Sequence, residues 1–408
     1  MSLNAKKRRR KKIRRIILII ELILLMMLGG LLYVYSKFGK MNFNDLGKVK
    51  TNNLDKKTKD LLSGYTTIAL YGVDTRVMGD YKNSHSDSII VCVIDNKRKK
   101  IRLMTVYRDT YMEINGRGDF RKCNYAFGVG GAKQSIEMLN RNIDLNIQDY
   151  VAVDWKALAD AIDAVGGVEV NVTKEESYAM DSNEYHVLSD TIENIGRKAK
   201  RVRPGEQTLD GVQAVAYCRI RHNAGDDFGR AKRQREVLAK LIEKVKSGGI
   251  AKINNLMDVV FPEVSTSLST NQIIALATRL KGYEMEKMEA YPFDKKSTTL
   301  GVAGSVLVPC TLESNARLAY KFLYRNEEYE PSEALKKISK RIRNTTGFNE
   351  EDAVDYGDNG KKRNNRQRNR HNNVRSNAQK NMKKRINYNN GVKNNNVNKI
   401  VNNAGKKH

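Results

Sequence analysis

Three apolar runs between positions 65 and 106 constrain this fold more than anything else in the chain. Residues 65–73 (YTTIALYGV) read as a buried strand, and residues 88–94 (SIIVCVI) and 101–106 (IRLMTV) follow it. The polar Asp95-Asn96-Lys97 between the last two is turn chemistry, which makes them a hairpin. Helical spacing over residues 132–145 and 155–165 then brackets a short strand at 150–153. Gly166-Gly167 stop the second helix and a strand resumes at 168–172. This alternation predicts an α/β fold with a central mixed β-sheet flanked by helices. A long helix follows Arg230 to about Ser247, and residues 333–342 form a last amphipathic helix.

The ends of the chain have a different character. A net charge of +28 over 408 residues points to an anionic partner: nucleic acid, a membrane face or an anionic polymer. Lys6 to Lys12, with Arg14 and Arg15, precede an apolar run at residues 16–35. At 1.5 Å per residue, roughly 20 residues cross a hydrocarbon core of about 30 Å. The basic flank stays inside, so the chain reads as a retained single-pass membrane anchor with an extracellular C-terminal part. That topology argues against nucleic acid as a partner. The expected order is a basic cytoplasmic tail (1–15), a transmembrane helix (16–35), a spacer (36–63), an extracellular catalytic domain (64–345) and a disordered tail (346–408). From Lys361 onward the tail holds Asn, Lys, Arg and Gln and no acid. It cannot bury enough apolar surface to order itself, and it suits loose attachment to anionic wall polymers or plain solvation. The four cysteines lie in no metal-ligand spacing.

Charged residues gather where the runs end. Asp74 and Arg76 follow the first run, Asp87 opens the second, and Arg108 and Asp109 follow the third. If the first two strands are antiparallel, Asp74 and Asp87 meet at one edge. Paired carboxylates without a local basic partner suit Mg²⁺, with Mn²⁺ as the alternative. In an extended reading of residues 216–222, Arg219 and Arg221 share a face. With a helix starting near Gly229, Arg230, Arg233 and Gln234 share another. Guanidinium forks aimed at one point bind phosphate bidentately. No Ser-His-Asp or Cys-His set is visible, and of the five histidines two lie in the last forty residues.

In order along the chain stand GVDTR (72–76), SDS (86–88), YRDTY (107–111), KCNYAFGVGG (122–131), VDW (153–155), GGVEV (166–170), LDGVQAVAYCRIRH (209–222) and DDFGRAKRQ (226–234). This series resembles the LytR-CpsA-Psr family of Gram-positive cell envelopes, across residues 65–309. The resemblance implies a three-layer α-β-α domain. It implies a phosphotransferase that moves a glycopolymer, teichoic acid or capsular polysaccharide, from undecaprenyl pyrophosphate to peptidoglycan. It further implies that Asp74 and Asp87 hold Mg²⁺, and that Arg108, Arg219, Arg221 and Arg230 grip the pyrophosphate. Arg76, Arg233 and Gln234 would support them, and Asp227 and Asp109 would orient the arginines. The polyprenyl chain needs an apolar tunnel between the sheet and helices such as 155–165. The sequence departs from the pattern at His85, where many members have Arg, and at Tyr107, where many have Pro. The first departure would weaken one phosphate contact. A hydrolase or carrier-binding protein with the same site is the alternative, and a membrane-bound DNA-binding regulator is a third reading.

Overall fold

The computed structural model describes Tyr33 and residues 36–74, 84–221, 224–248, 250–280 and 282–356. Apart from Tyr33 and the residues from 346 to 356, the proposed anchor and the basic tail lie outside the described residues, and so does Arg76. Among the described residues no helix is long and apolar enough to cross a membrane.

Seven strands form the central sheet: β1 (Asn42–Phe43), β2 (Tyr65–Val73), β3 (Ser86–Asp95), β4 (Lys100–Val106), β5 (Asp149–Asp154), β6 (Val264–Thr266) and β7 (Glu284–Tyr291). Their spatial order is β1-β6-β5-β2-β3-β4-β7. β3 runs antiparallel to β2 and to β4, closing the expected hairpin with Ile94 opposite Ile101. β5 lies parallel to β2, and β7 parallel to β4. One end of the sheet therefore collects the C-terminal ends of β2, β4, β5 and β7 with the start of β3. The C-terminal strand ends are where open α/β sheets place ligands.

Side chains alternate along each strand, so the central strands supply two apolar faces. Ala69, Tyr71, Val73, Ile89, Val91, Val93, Met104 and Val106 enter the larger core. Helices α1 (Tyr125–Ile143), α6 (Leu312–Tyr324) and α7 (Glu333–Thr346) cover it. Ile68, Leu70, Cys92, Ile94 and Ile101 face the other way and meet Ile273 and Leu276 of helix Thr270–Leu280. The mixed sheet flanked by helices is as the sequence implied. Helix α1 begins earlier than its apolar spacing suggested because it is kinked at Gly130 and Gly131. Gly131 adopts φ 63°, a conformation that side-chain-bearing residues rarely take.

A second apolar core joins α2 (Trp155–Ala164), α3 (Val187–Ile195), α4 (Gly211–Arg219), α5 (Asp226–Ser247) and the ribbon Val168–Val172 with Gly205–Leu209. Here the extended reading of residues 216–222 fails, since Ala216 to Arg219 are helical. Asp210 accepts from Gln213 N at 2.9 Å, and Gln213 Oε1 accepts from Asp210 N at 3.0 Å. That reciprocal cap starts a helix, and burial of Val212, Val215, Ala216 and Cys218 holds it. All four cysteines are free. Burial pushes the Cys92 and Cys218 thiols up to about 12, as befits inert apolar packing.

Candidate active site

The site grows from the sheet end just described. Gly72 pairs with Ser88 and Val73 with Ser86, so Asp87 is the extra residue of a bulge. Bulges re-aim side chains, and this one places Asp87 beside the turn that follows β4. There Arg108 Nη1 donates to Asp87 Oδ1 at 2.6 Å. Arg108 Nε lies 3.7 Å from both Asp109 and Asp227, and Lys122 Nζ lies 3.0 Å from Asp109. Burial opposes the Arg108 charge, but its three surrounding carboxylates hold the pKa above the usual arginine value.

Helix α5 supplies the opposing wall. Gly229 is obligatory there, because a Cβ on it would come within 2.1 Å of the Ala224 carbonyl oxygen. That contact packs the first turn of α5 tightly and presents Asp227 and Arg230 together. Arg230 Nη2 lies 2.8 Å from Asp227 Oδ1, while its buried Nη1 has no hydrogen-bond partner among the described residues. Burial, reinforced by Arg108 and Arg221, lowers the Arg230 pKa to about 10. Asp109 titrates above the ordinary aspartate range, through burial and then its hydrogen bond with Asp227. Asp227 moves the other way: burial opposes its charge, but Arg230, Asp109, Arg108 and Arg221 outweigh it. Of the pair, Asp109 is therefore the carboxyl that takes up a proton first as pH falls, and Asp227 the one that holds its charge longer.

Two adjoining cavities open here. One, of about 190 Å³, brings together Asp74, Asp87, Arg219, Arg221, Arg230 and Gln234, with Trp155, Tyr185, Val187 and Cys218 as its apolar side. The other, of about 80 Å³, shares Asp87, Arg230 and Gln234 with the first and adds Arg108, Asp109, Asp227, Tyr107 and Phe228. Ten of the eleven site residues expected from sequence are described, and nine of them line these cavities. Gln234 also donates to the Cys218 carbonyl at 3.4 Å.

Arg233 is the exception. It is 3% exposed and donates to the carbonyls of Tyr217, Ile220 and Ala224 and to Glu176. Its guanidinium ties α4 to α5 across the connecting turn and lines neither cavity, so its role is structural. Sequence spacing put it on the Arg230 face, but one turn further along the helix that face is covered by α4. The expectation that neither carboxylate has a local basic partner also fails at Asp87, which Arg108 engages. His85 stacks against Tyr125 with ring centroids 4.6 Å apart and belongs to neither cavity lining.

Residues not singled out as ligands complete the site. Arg219 Nη1 donates to Thr191 Oγ1 at 2.8 Å, and Thr191 in turn donates to the Val187 carbonyl at 2.6 Å. Thr191 is fully buried, and nothing in the sequence around it separates it from an ordinary helical threonine. Trp155 stood in a quoted motif, and its place follows from Asp154 lying opposite Val73.

For a divalent cation the expected donors Asp74 and Asp87 both line the larger cavity, as Asp190 also does. Among the described residues no group of three or more acidic, His or Cys side chains is placed to hold a metal ion by itself. Two carboxylates suit Mg²⁺ that completes its shell with water and substrate phosphate, so the residues fit that ion.

The chain is similar to known proteins. The chain is 29% identical over 287 residues to the polyisoprenyl-teichoic acid–peptidoglycan teichoic acid transferase TagV of Bacillus subtilis, covering 69% of this chain and 67% of that one. It is 30% identical over 262 residues to the transferase TagU of Bacillus cereus, covering 62% of this chain and 79% of that one. The crystal structure of Bacillus subtilis TagV superposes with a TM-score of 0.51 at 26% identity, covering 65% of this chain and 98% of that one. The profile of the LytR_cpsA_psr family matches residues 29–315, more than two thirds of the sequence, and the chain belongs to that family.

Proposed function

We propose that this protein transfers a glycopolymer, with its phosphate, from an undecaprenyl-pyrophosphate carrier to peptidoglycan. The observation that carries the reading is the convergence of Arg219, Arg221 and Arg230 with Asp74 and Asp87 on one cavity. Three forks on one cavity suit a diphosphate, because each guanidinium grips two oxygens and keeps its charge. The Nη1 of Arg230, unpartnered among the described residues, is a buried donor that a phosphate oxygen would satisfy. The apolar side of the cavity, Trp155, Val187 and Cys218, suits the first isoprene units.

The acceptor hydroxyl oxygen attacks the phosphorus that bears the saccharide. The bond from that phosphorus to the bridging oxygen breaks, and its electron pair leaves on the lipid monophosphate. The hydroxyl proton passes to a cavity carboxylate. Phosphoryl transfer needs positioning and charge neutralisation more than a strong nucleophile, which an arginine cluster supplies. Asp74 and Asp87 would hold Mg²⁺, or Mn²⁺, which when bound neutralises diphosphate oxygens. Residues 16–35 anchor the chain in the membrane with the domain outside, and the basic tail contacts anionic wall polymers.

The test incubates purified protein with a synthetic polyprenyl-diphosphate-linked disaccharide, Mg²⁺ and peptidoglycan oligomers, with products separated by mass. A phosphodiester-linked product supports transfer. Free phosphorylated saccharide without linked product assigns hydrolysis, and no turnover leaves only carrier binding.

A further inference from the structure

The larger cavity accounts for the donor, while the smaller one has a different lining. Beyond the shared Asp87, Arg230 and Gln234 it carries Tyr107, Phe228, Ser88, Ser297, Ser305 and Leu307. Tyr107 and Phe228 pack edge to face with ring centroids 5.0 Å apart. Ser297 and Ser305 lie on the two-stranded ribbon Lys295–Leu300 with Gly304–Pro309, where Ser297 stands opposite Leu307 and Thr299 opposite Ser305. Ser305 is exposed at the cavity rim. Aromatic rings with hydroxyls around them suit the alternating apolar and polar faces of a sugar.

In-line displacement at phosphorus requires the attacking oxygen on the side away from the leaving oxygen. The lipid phosphate leaves toward the apolar-lined cavity, so the attacking oxygen arrives from the neighbouring one. Resting on the transfer reading above, we infer that the smaller cavity is the acceptor subsite, admitting a carbohydrate hydroxyl between the Tyr107–Phe228 pair and the serine-bearing ribbon. Its volume of about 80 Å³ holds a few water-sized groups. A hydroxyl-bearing arm enters, and the rest of the sugar stays at the rim against Ser305. The proton released from that hydroxyl passes to the Asp109–Asp227 pair lining the same cavity, and the P–O bond forms as the bridging P–O bond breaks.

The experiment uses Ser305→Tyr, which crowds the rim from an exposed strand position that tolerates an aromatic. Transfer is measured at varied peptidoglycan-oligomer concentration, donor affinity separately by calorimetry with polyprenyl diphosphate, and folding by thermal melting. The acceptor KM should rise at least tenfold in Ser305→Tyr, with donor affinity and melting temperature close to wild type. An unchanged acceptor KM, or equal losses of donor and acceptor binding, overturns the assignment. If wild-type protein transfers nothing, it is the transferase reading that fails.

Discussion

Replacing Arg233 separates structural from phosphate-binding arginines, and the structure gives the size of the effect. Its guanidinium makes charge-assisted hydrogen bonds to Tyr217 O at 3.1 Å, Ile220 O at 2.5 Å, Ala224 O at 2.8 Å and Glu176 Oε1 at 3.3 Å. Arg233→Met keeps much of the stem but leaves three carbonyls unsatisfied and Glu176 without its cation. Removing one partner of a buried ion pair costs about 3–5 kcal/mol, and unpaired carbonyls point the same way. For a domain of this size each kcal/mol shifts the melting temperature by roughly 2–4 °C, so calorimetry should show a fall on the order of 10 °C. Arg219→Met should behave oppositely. That side chain lines a cavity, with Thr191 as its hydrogen-bond partner, so its loss should cost about 1 kcal/mol of stability while donor affinity collapses. If Arg233→Met melts like wild type and loses only donor binding, the structural role assigned to Arg233 is wrong.

Three further outcomes test other parts of the account. Thr191→Val should lower kcat/KM for transfer about tenfold, the worth of one charge-assisted hydrogen bond near 1.4 kcal/mol, and Thr191→Ser should recover it; equal loss in both variants would make Thr191 a packing residue only. Asp144, fully buried, accepts from Asn52 Nδ2, Tyr329 OH, and Ser332 N and Oγ, so Asp144→Ala should cost about 3–5 kcal/mol by chemical denaturation, without changing the activity of the folded fraction. Asp109 holds its proton more tightly folded than unfolded, so its contribution is complete below the ordinary aspartate value of about 3.9 and is lost as pH rises through its raised folded value. Asp109→Asn should therefore flatten the melting temperature as pH rises above about 4, and an unaltered profile would remove the shared-proton account.

Much of the fold was legible because strand and helix periods survive in the sequence. Residues 65–73, 101–106 and 168–172 read as strands, and the turn at Asp95 to Lys97 gave the β3–β4 hairpin; the antiparallel β2–β3 pairing that brings Asp74 to Asp87 was only a condition in the sequence, which the structure meets. The bulge that aims Asp87 was not legible, because it is a register shift between two strands rather than a property of either. Arg219 and Arg221 were placed on one extended face, yet they reach one cavity by another route, Arg219 closing a helix and Arg221 following Ile220. A capping Asp three residues before a Gln outweighed the β-branched and aromatic content of the segment. The structural role of Arg233 needed the position of α4, and Thr191 needed the position of α3. Both are tertiary facts that helical spacing cannot encode.

The most direct measurement of the central claim is a crystal structure of the protein with a short-chain polyprenyl diphosphate and Mg²⁺. The account predicts diphosphate density between Arg219, Arg221 and Arg230, the cation on Asp74 and Asp87, and the isoprene units along Trp155 and Val187. Diphosphate bound elsewhere, with the arginine-lined cavity holding only solvent, would contradict it.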